Sequence, residues 1–374
     1  MDSRRIRRVF FLALASVGIA ACGTILGDFP DGRLGEDDAA KPDEASVPPD
    51  APAGPICTVP SGDILDMAID ATDIFWVRAP PSGGGFAIEA CSKNGAQNGD
   101  GGVRQIATAG NQPEGFAVSD DYVFWSIDLN YDPHKIRGIW RADKKGGPPV
   151  TARWIDIDRA GPMAFANGAL YAGAHTKFIY RFSPGTGEQS LLINTNSDPT
   201  SIAASESYVY WSAADAPGPA TSDPLAPRIL TVPLGPPDAG LQPTQFAGQF
   251  PVAPTFLSYD EGALYWAVVQ TGGPTTIASR CPDGCAATTE IVTQPQGFVA
   301  LAVRNKGIYW TANEGDAGVV HACQAVAHCQ QDGSVWSGTN SEVSLIALDD
   351  NGVYFVAKNG TEAGTETHIM RKSR

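Results

Sequence analysis

Lys306-Gly307-Ile308-Tyr309-Trp310-Thr311 is a turn followed by an aliphatic residue and two aromatics, and the same step recurs along the chain. It returns as Ile74-Phe75-Trp76, Val123-Phe124-Trp125, Val209-Tyr210-Trp211, Leu264-Tyr265-Trp266 and Val353-Tyr354-Phe355, with a weaker copy, Leu170-Tyr171-Ala172, in the one gap. The middle aromatics stand at 75, 124, 171, 210, 265, 309 and 354, so the spacings are 49, 47, 39, 55, 44 and 45 residues. A period in the mid-forties belongs to propeller blades or helical arrays.

The residues around one copy choose between them. Gln112-Pro113-Glu114-Gly115 is a turn that leads into the short apolar run Phe116-Ala117-Val118. Ser119-Asp120-Asp121 then turns the chain into Tyr122-Val123-Phe124-Trp125-Ser126, which together read as a β-hairpin. A third strand is expected at Arg137–Ala142 and a fourth near Val150–Ile155, and four antiparallel strands per repeat describe a propeller blade. Asn167-Gly168, Glu261-Gly262 and Asn351-Gly352 supply equivalent hairpin turns, and Pro113, Pro162, Pro199, Pro254 and Pro295 recur ahead of the first strand.

The second strand is apolar on consecutive residues. Blades stack face against face, so both faces of each sheet are covered and the alternation of a one-sided strand disappears. Five of the eight tryptophans fall in this strand, where each can bury some 150–250 Å². The repeated motif is therefore read as blade packing and not as a ligand site. The last unit has three strands, near Leu345–Leu348, Val353–Ala357 and His368–Lys372, while Ile56-Cys57-Thr58-Val59-Pro60 precedes the first hairpin without a blade of its own. Pairing the two removes an open edge. The fold expected is an all-β, seven-bladed propeller over residues 56–374, with its last blade closed by the N-terminal strand.

Ile308-Tyr309-Trp310-Thr311, Val209-Tyr210-Trp211-Ser212 and Val123-Phe124-Trp125-Ser126 resemble the repeat of YWTD-type propellers, seen in lipoprotein-receptor ectodomains and in bacterial lipoproteins. The resemblance covers residues 56–374 and implies fold. It departs from the family in having seven copies where six are usual, and no copy carries the closing Asp.

Residues 1–21 have the features of a targeting segment: Arg4, Arg5, Arg7 and Arg8, then the apolar run Val9–Ile19, too short to span a bilayer. The ending Ile19-Ala20-Ala21-Cys22 resembles a bacterial lipobox, which makes Cys22 the lipidation site; an ordinary secretory signal is the alternative. Gly23 follows where an Asp would signal inner-membrane retention, so by analogy the anchor is expected in the outer membrane. Residues 22–55 are rich in Asp, Glu and Pro and almost free of aromatics. Such a segment cannot offset its ordering entropy and reads as a disordered tether.

Loss of residues 1–21, with four Arg and one Asp, moves the net charge from −15 to −18. That acidity argues against nucleic acid as a partner. Six cysteines remain after Cys22, an even number suited to disulfides outside the cytoplasm. Cys281 and Cys285 bracket a Pro-Asp-Gly turn, Cys323 and Cys329 flank a short loop, and Cys57 and Cys91 are left for each other. His321, Cys323, His328 and Cys329 offer zinc as the alternative to the second bridge, at spacings unlike those of ordinary fingers.

No nucleophile elbow, His-Glu-x-x-His, P-loop or dinucleotide fingerprint occurs, so no catalytic residue, metal or cofactor is assigned. The innermost strands, read as Met67-Ala68-Ile69, Phe116-Ala117-Val118, Met163-Ala164-Phe165, Ile202-Ala203-Ala204, Phe256-Leu257-Ser258, Leu301-Ala302-Val303 and Leu345-Ile346-Ala347, are small and apolar with no ring of carboxylates, which argues against an enzyme site in the channel. Function is expected on the rim shared by the loops entering each first strand and those joining second to third strands. Asp128, Asn130, Tyr131, Asp132 and His134 form its densest polar and aromatic cluster, and Gln112, Glu114, Asp198, Gln294 and Gln296 come from the entering loops. The leading expectation is a lipid-anchored, monomeric binding or scaffolding module for a protein, peptide or glycan. The alternative is a propeller enzyme, a hydrolase or lyase on a sugar or ester, with its site at the channel mouth.

Overall fold

Seven sheets follow one another along the chain, each begun by a short strand and continued by the aromatic one. The computed structural model describes residues 54–373 apart from positions 60, 81–83, 95–101, 128–136, 147–153, 196, 215–226, 235–240, 249, 271–272, 281–287, 295–296, 325–332 and 362–363. The expected signal segment and nearly all of the tether lie outside the described residues, within which there is no helix. Blade 1, for example, runs Ile64–Ile69, Asp73–Arg78, Phe86–Ser92 and Arg104–Ala109, each antiparallel to the last. Six sheets have four strands, five of them in this chain order and one with the N-terminal strand as its outermost member. The second blade has three among the described residues, and an antiparallel bridge between Ile139 and Ile155 marks where its fourth strand was expected.

Packing explains the aromatic strand. Trp76, Trp125, Trp211, Trp266 and Trp310 are all completely buried, as are Phe75, Phe124, Tyr210 and Phe355. Alternate residues of one strand serve opposite neighbours. Phe75 packs in the cluster between blades 1 and 2, while Trp76 packs in the cluster between blades 7 and 1. Leu264 and Trp266 face blade 4, and Tyr265 and Ala267 face blade 6. Burying one such side chain contributes roughly 1.5–3 kcal/mol, so every blade depends on both its neighbours.

The residue after the Trp carries a second inter-blade contact. The Ser126 hydroxyl donates to the Gly161 carbonyl at 2.8 Å, and Thr311 donates to the Ser344 carbonyl at 2.6 Å. Each hydroxyl is buried and reaches the first strand of the next blade. On the opposite face, lysines that follow third strands reach backwards. Lys93 pairs with Asp349 at 2.5 Å, from blade 1 to blade 7, and Lys144 pairs with Asp70, from blade 2 to blade 1. Burial would raise the Asp349 and Asp70 carboxyls, but the lysines and backbone N–H donors outweigh it and hold both below the ordinary carboxylate range.

Type I′ geometry shows in the hairpin turns, where Asn167 and Gly168, and also Asn305 and Lys306, have φ between 51° and 67°. Gly168 in this position relieves the strain that a side chain would bring.

The ring closes as expected. Gly54–Val59, two residues longer at its start than the sequence suggested, pairs antiparallel with Gly364–Ser373 as the outermost strand of blade 7. Cys57 in that strand is disulfide-bonded to Cys91 in the third strand of blade 1, with 6.6 Å between the Cα atoms. The bridge therefore ties the last blade to the first. Both cysteines are buried beside Trp76, Tyr354 and Ile369.

In the chain-entropy description a loop of this size stabilises by roughly 3–4 kcal/mol. Replacing both cysteines by Ala is expected to lower the unfolding free energy by about that amount in urea titrations; an unchanged midpoint would show that the seam holds without it. Stability from Asp349 is present above its unfolded value and disappears as pH falls through its depressed folded value. Asp349→Asn should thus destabilise the protein at neutral pH, and the deficit should narrow below about pH 4 in thermal melts.

Candidate functional site

A cavity of about 530 Å³ opens where the first strands of successive blades begin. Four blades build it. Leu65 and Asp66 come from blade 1, Gln112, Pro113 and Glu114 from the loop entering blade 2, Pro162 and His175 from blade 3, and Pro199 and Thr200 from blade 4. The recurring prolines suit this place: a residue entering the sheet needs no ladder donor, and the ring gives a rigid apolar wall.

Two carboxylates and an imidazole meet there. His175 Nε2 lies 3.1 Å from Glu114 Oε2, and Arg159 donates to the His175 carbonyl at 3.4 Å. Asp66 sits beside a bulge in the first strand of blade 1 and accepts the Met67 N–H at 2.8 Å. Burial among the converging strands pushes its carboxyl up to about 7, against that hydrogen bond. The side chain keeps partial contact with solvent, which softens the effect. Next to the wall, Asp198 has a buried carboxylate oxygen, Oδ1, with no hydrogen-bond partner.

Phe256 is the second residue of the first strand of blade 5, Thr255–Asp260. It combines φ of 53° with a side chain 36% exposed, and it meets Phe298 of blade 6 edge-on at 5.6 Å. Backbone strain in a non-glycine residue with an exposed aromatic is a feature that collects at binding surfaces.

The expected rim residues divide three ways. Gln112 and Glu114 line the cavity and Asp198 adjoins it. Gln294 is buried instead: its carbonyl accepts the Trp310 indole N–H at 3.2 Å and its amide donates to Glu314 at 3.0 Å. Asp128, Asn130, Tyr131, Asp132, His134 and Gln296 lie outside the described residues, together with Cys22, Cys281, Cys285 and Cys329. Cys323 is disulfide-bonded, which leaves it no thiolate for zinc, and His321 stacks on Trp310 and contacts Glu314 at 3.0 Å. Among the described residues no cluster of His, Cys, Asp and Glu is arranged to hold a metal. Asp66 and His175 were missed by sequence reasoning. The signal for Asp66 was a carboxylate interrupting Ile64-Leu65-Asp66-Met67.

A second cavity, of about 470 Å³, lies between blades 1 and 2 on the opposite face. Two of its five acids are held by cations, Asp70 by Lys144 and Asp73 by Arg104 at 3.1 Å, and Arg104, Lys144 and Lys145 line the same cavity.

Fold and mouth together define a closed seven-bladed β-propeller. No protein-family model matches the chain, and no curated protein sequence does. Solved propellers do resemble it. The β-propeller domain of the Trilobed protease from Pyrococcus furiosus, described as having an open velcro topology, shares 8% identity over 83% of this chain and 97% of that one, with a TM-score of 0.54. YCF48 bound to D1 peptide shares 12% over 87% and 96%, at 0.53. The WD40 propeller domain of Doa1 shares 13% over 85% and 97%, also at 0.53. At such identities the likeness is one of fold.

Asp66 yields a direct test. A carboxyl whose folded pKa is raised makes the protein less stable as pH climbs from its unfolded value through its folded one. Asp66→Asn should raise the melting temperature at pH 8 and leave it nearly unchanged at pH 4. Equal shifts at both values would mean that Asp66 ionises normally.

Proposed function

We propose that this chain is an extracytoplasmic binding or scaffolding module with YWTD-like repeats, whose propeller engages a protein, peptide or glycan at the mouth of its channel. The observation that carries this reading is the cavity built from four blades, where polar groups that packing does not consume stand above proline walls. YCF48, similar in fold, is a propeller with a bound peptide, which makes peptide recognition a natural use of the architecture. In the same reading Cys22 carries the lipid, residues 1–21 are removed, and residues 22–55 hold a monomeric propeller off the outer membrane. A single acyl-type anchor gives only reversible attachment, whereas a diacylglycerol with a further acyl chain holds firmly.

The Glu114–His175 contact favours a second reading, hydrolysis or elimination on a sugar or ester, because a carboxylate-paired imidazole in a cavity is a general acid–base arrangement. Turnover of a panel of chromogenic esters and glycosides that disappears in His175→Ala would establish it.

Thr200 is exposed at the wall, so Thr200→Trp should plug the cavity without removing a buried group. Peptide and glycan arrays probed with the wild-type propeller and this variant, at matched melting temperatures, test the main reading. Ligands captured by the parent are expected to be lost with the plug, and retention of all of them would refute the mouth as the binding site. Separately, Cys22→Ser should abolish incorporation of an alkyne fatty acid and move the protein from the detergent to the aqueous phase.

A further inference from the structure

Deepening that reading, we propose that the mouth is selective for a cationic side chain, Lys or Arg, presented by a peptide. Asp66 and Glu114 converge on one cavity, and no Lys or Arg is among the residues lining it. Elsewhere in the described structure several acids drawn from solvent are matched by cations, Glu89 by Arg78 at 2.6 Å, Asp349 by Lys93 and Asp70 by Lys144, while buried Asp260 accepts the Lys306 backbone N–H at 2.9 Å. The mouth gathers acids that lack such a match. Glu114 has only His175, Asp66 has a backbone N–H, and the neighbouring Asp198 keeps a buried oxygen without a partner.

A carboxylate withdrawn from water without a cation is costly, and the raised Asp66 carboxyl reflects that cost. A ligand ammonium or guanidinium would supply the missing charge. The prolines of the wall fit the rest of such a side chain, since the methylene stems of Lys and Arg pack along apolar surface while the head stays polar. Net charge of −15 draws a basic partner towards the protein and repels an acidic one.

The probes are fluorescein-labelled Gly-Ser peptides that differ in carrying Lys, Arg, norleucine or Glu, read by anisotropy at low and at physiological salt. Lys and Arg peptides are expected to bind at least about tenfold tighter than norleucine, and the Glu peptide weakest. Added salt should weaken the first two most. Asp66→Asn and Glu114→Gln should each lose about tenfold, while Asp121→Asn, on the opposite face, should not. Lys and Arg peptides that bind no better than norleucine, or bind Asp66→Asn and Glu114→Gln unchanged, would overturn the inference. Thr200→Trp separates the two claims. Probes displaced by the plug irrespective of charge keep the mouth as a binding site and reject its selectivity, and indifference to the plug rejects both.

Discussion

Everything in this molecule depends on a covering problem. A strand bearing Phe75 and Trp76 side by side has two apolar faces, and a single sheet can shield neither. Stacking a second sheet solves one face and creates another exposed face beyond it. Only a ring ends the series, which is why the contact between blades 7 and 1 matters as much as any within a blade. Polar contacts then fix the orientation that apolar packing leaves loose. Ser126 and Thr311 tie blade 2 to blade 3 and blade 6 to blade 7 on one side, and Lys93 and Lys144 tie blade 1 to blade 7 and blade 2 to blade 1 on the other.

The division of labour between the two faces follows. Where the lysines reach back, acids are neutralised and the surface is consumed by structure. Where the first strands begin, bulges and prolines interrupt the ladder, as between Ile64 and Asp66 or Pro199 and Ser201. Backbone that has left the ladder can aim side chains across the axis. Glu114, His175 and Asp66 are brought together there from three different blades. The result is a frame with a small polar opening.

Legibility in the sequence tracks how strongly packing constrains each position. The second strands were readable because burial on both sides forces consecutive large apolar residues, and the hairpin turns because Asn-Gly and Glu-Gly accept positive φ. Outer strands carry a weaker pattern, since many of their residues face water, as in Gln189–Asn194. The mouth was partly readable. Gln112 and Glu114 precede a marker proline, but His175 ends the weakest copy of the repeat and Asp66 is one carboxylate in an apolar strand. Gln294 shows the converse. It has the same chemistry and the same place in the repeat as a rim residue, yet the Trp310 indole claims it, a contact between blades that no linear pattern displays.

The seam between Gly54–Val59 and Gly364–Ser373 also has a mechanical meaning. Tension applied along the N-terminal segment meets a strand whose ladder bonds share the load together, and Cys57 is riveted to Cys91 in the neighbouring blade. Peeling can release Gly54 to Ile56 and then reaches a covalent stop. Pulled from its leading end, the propeller would yield at its fringe while the circle stayed shut.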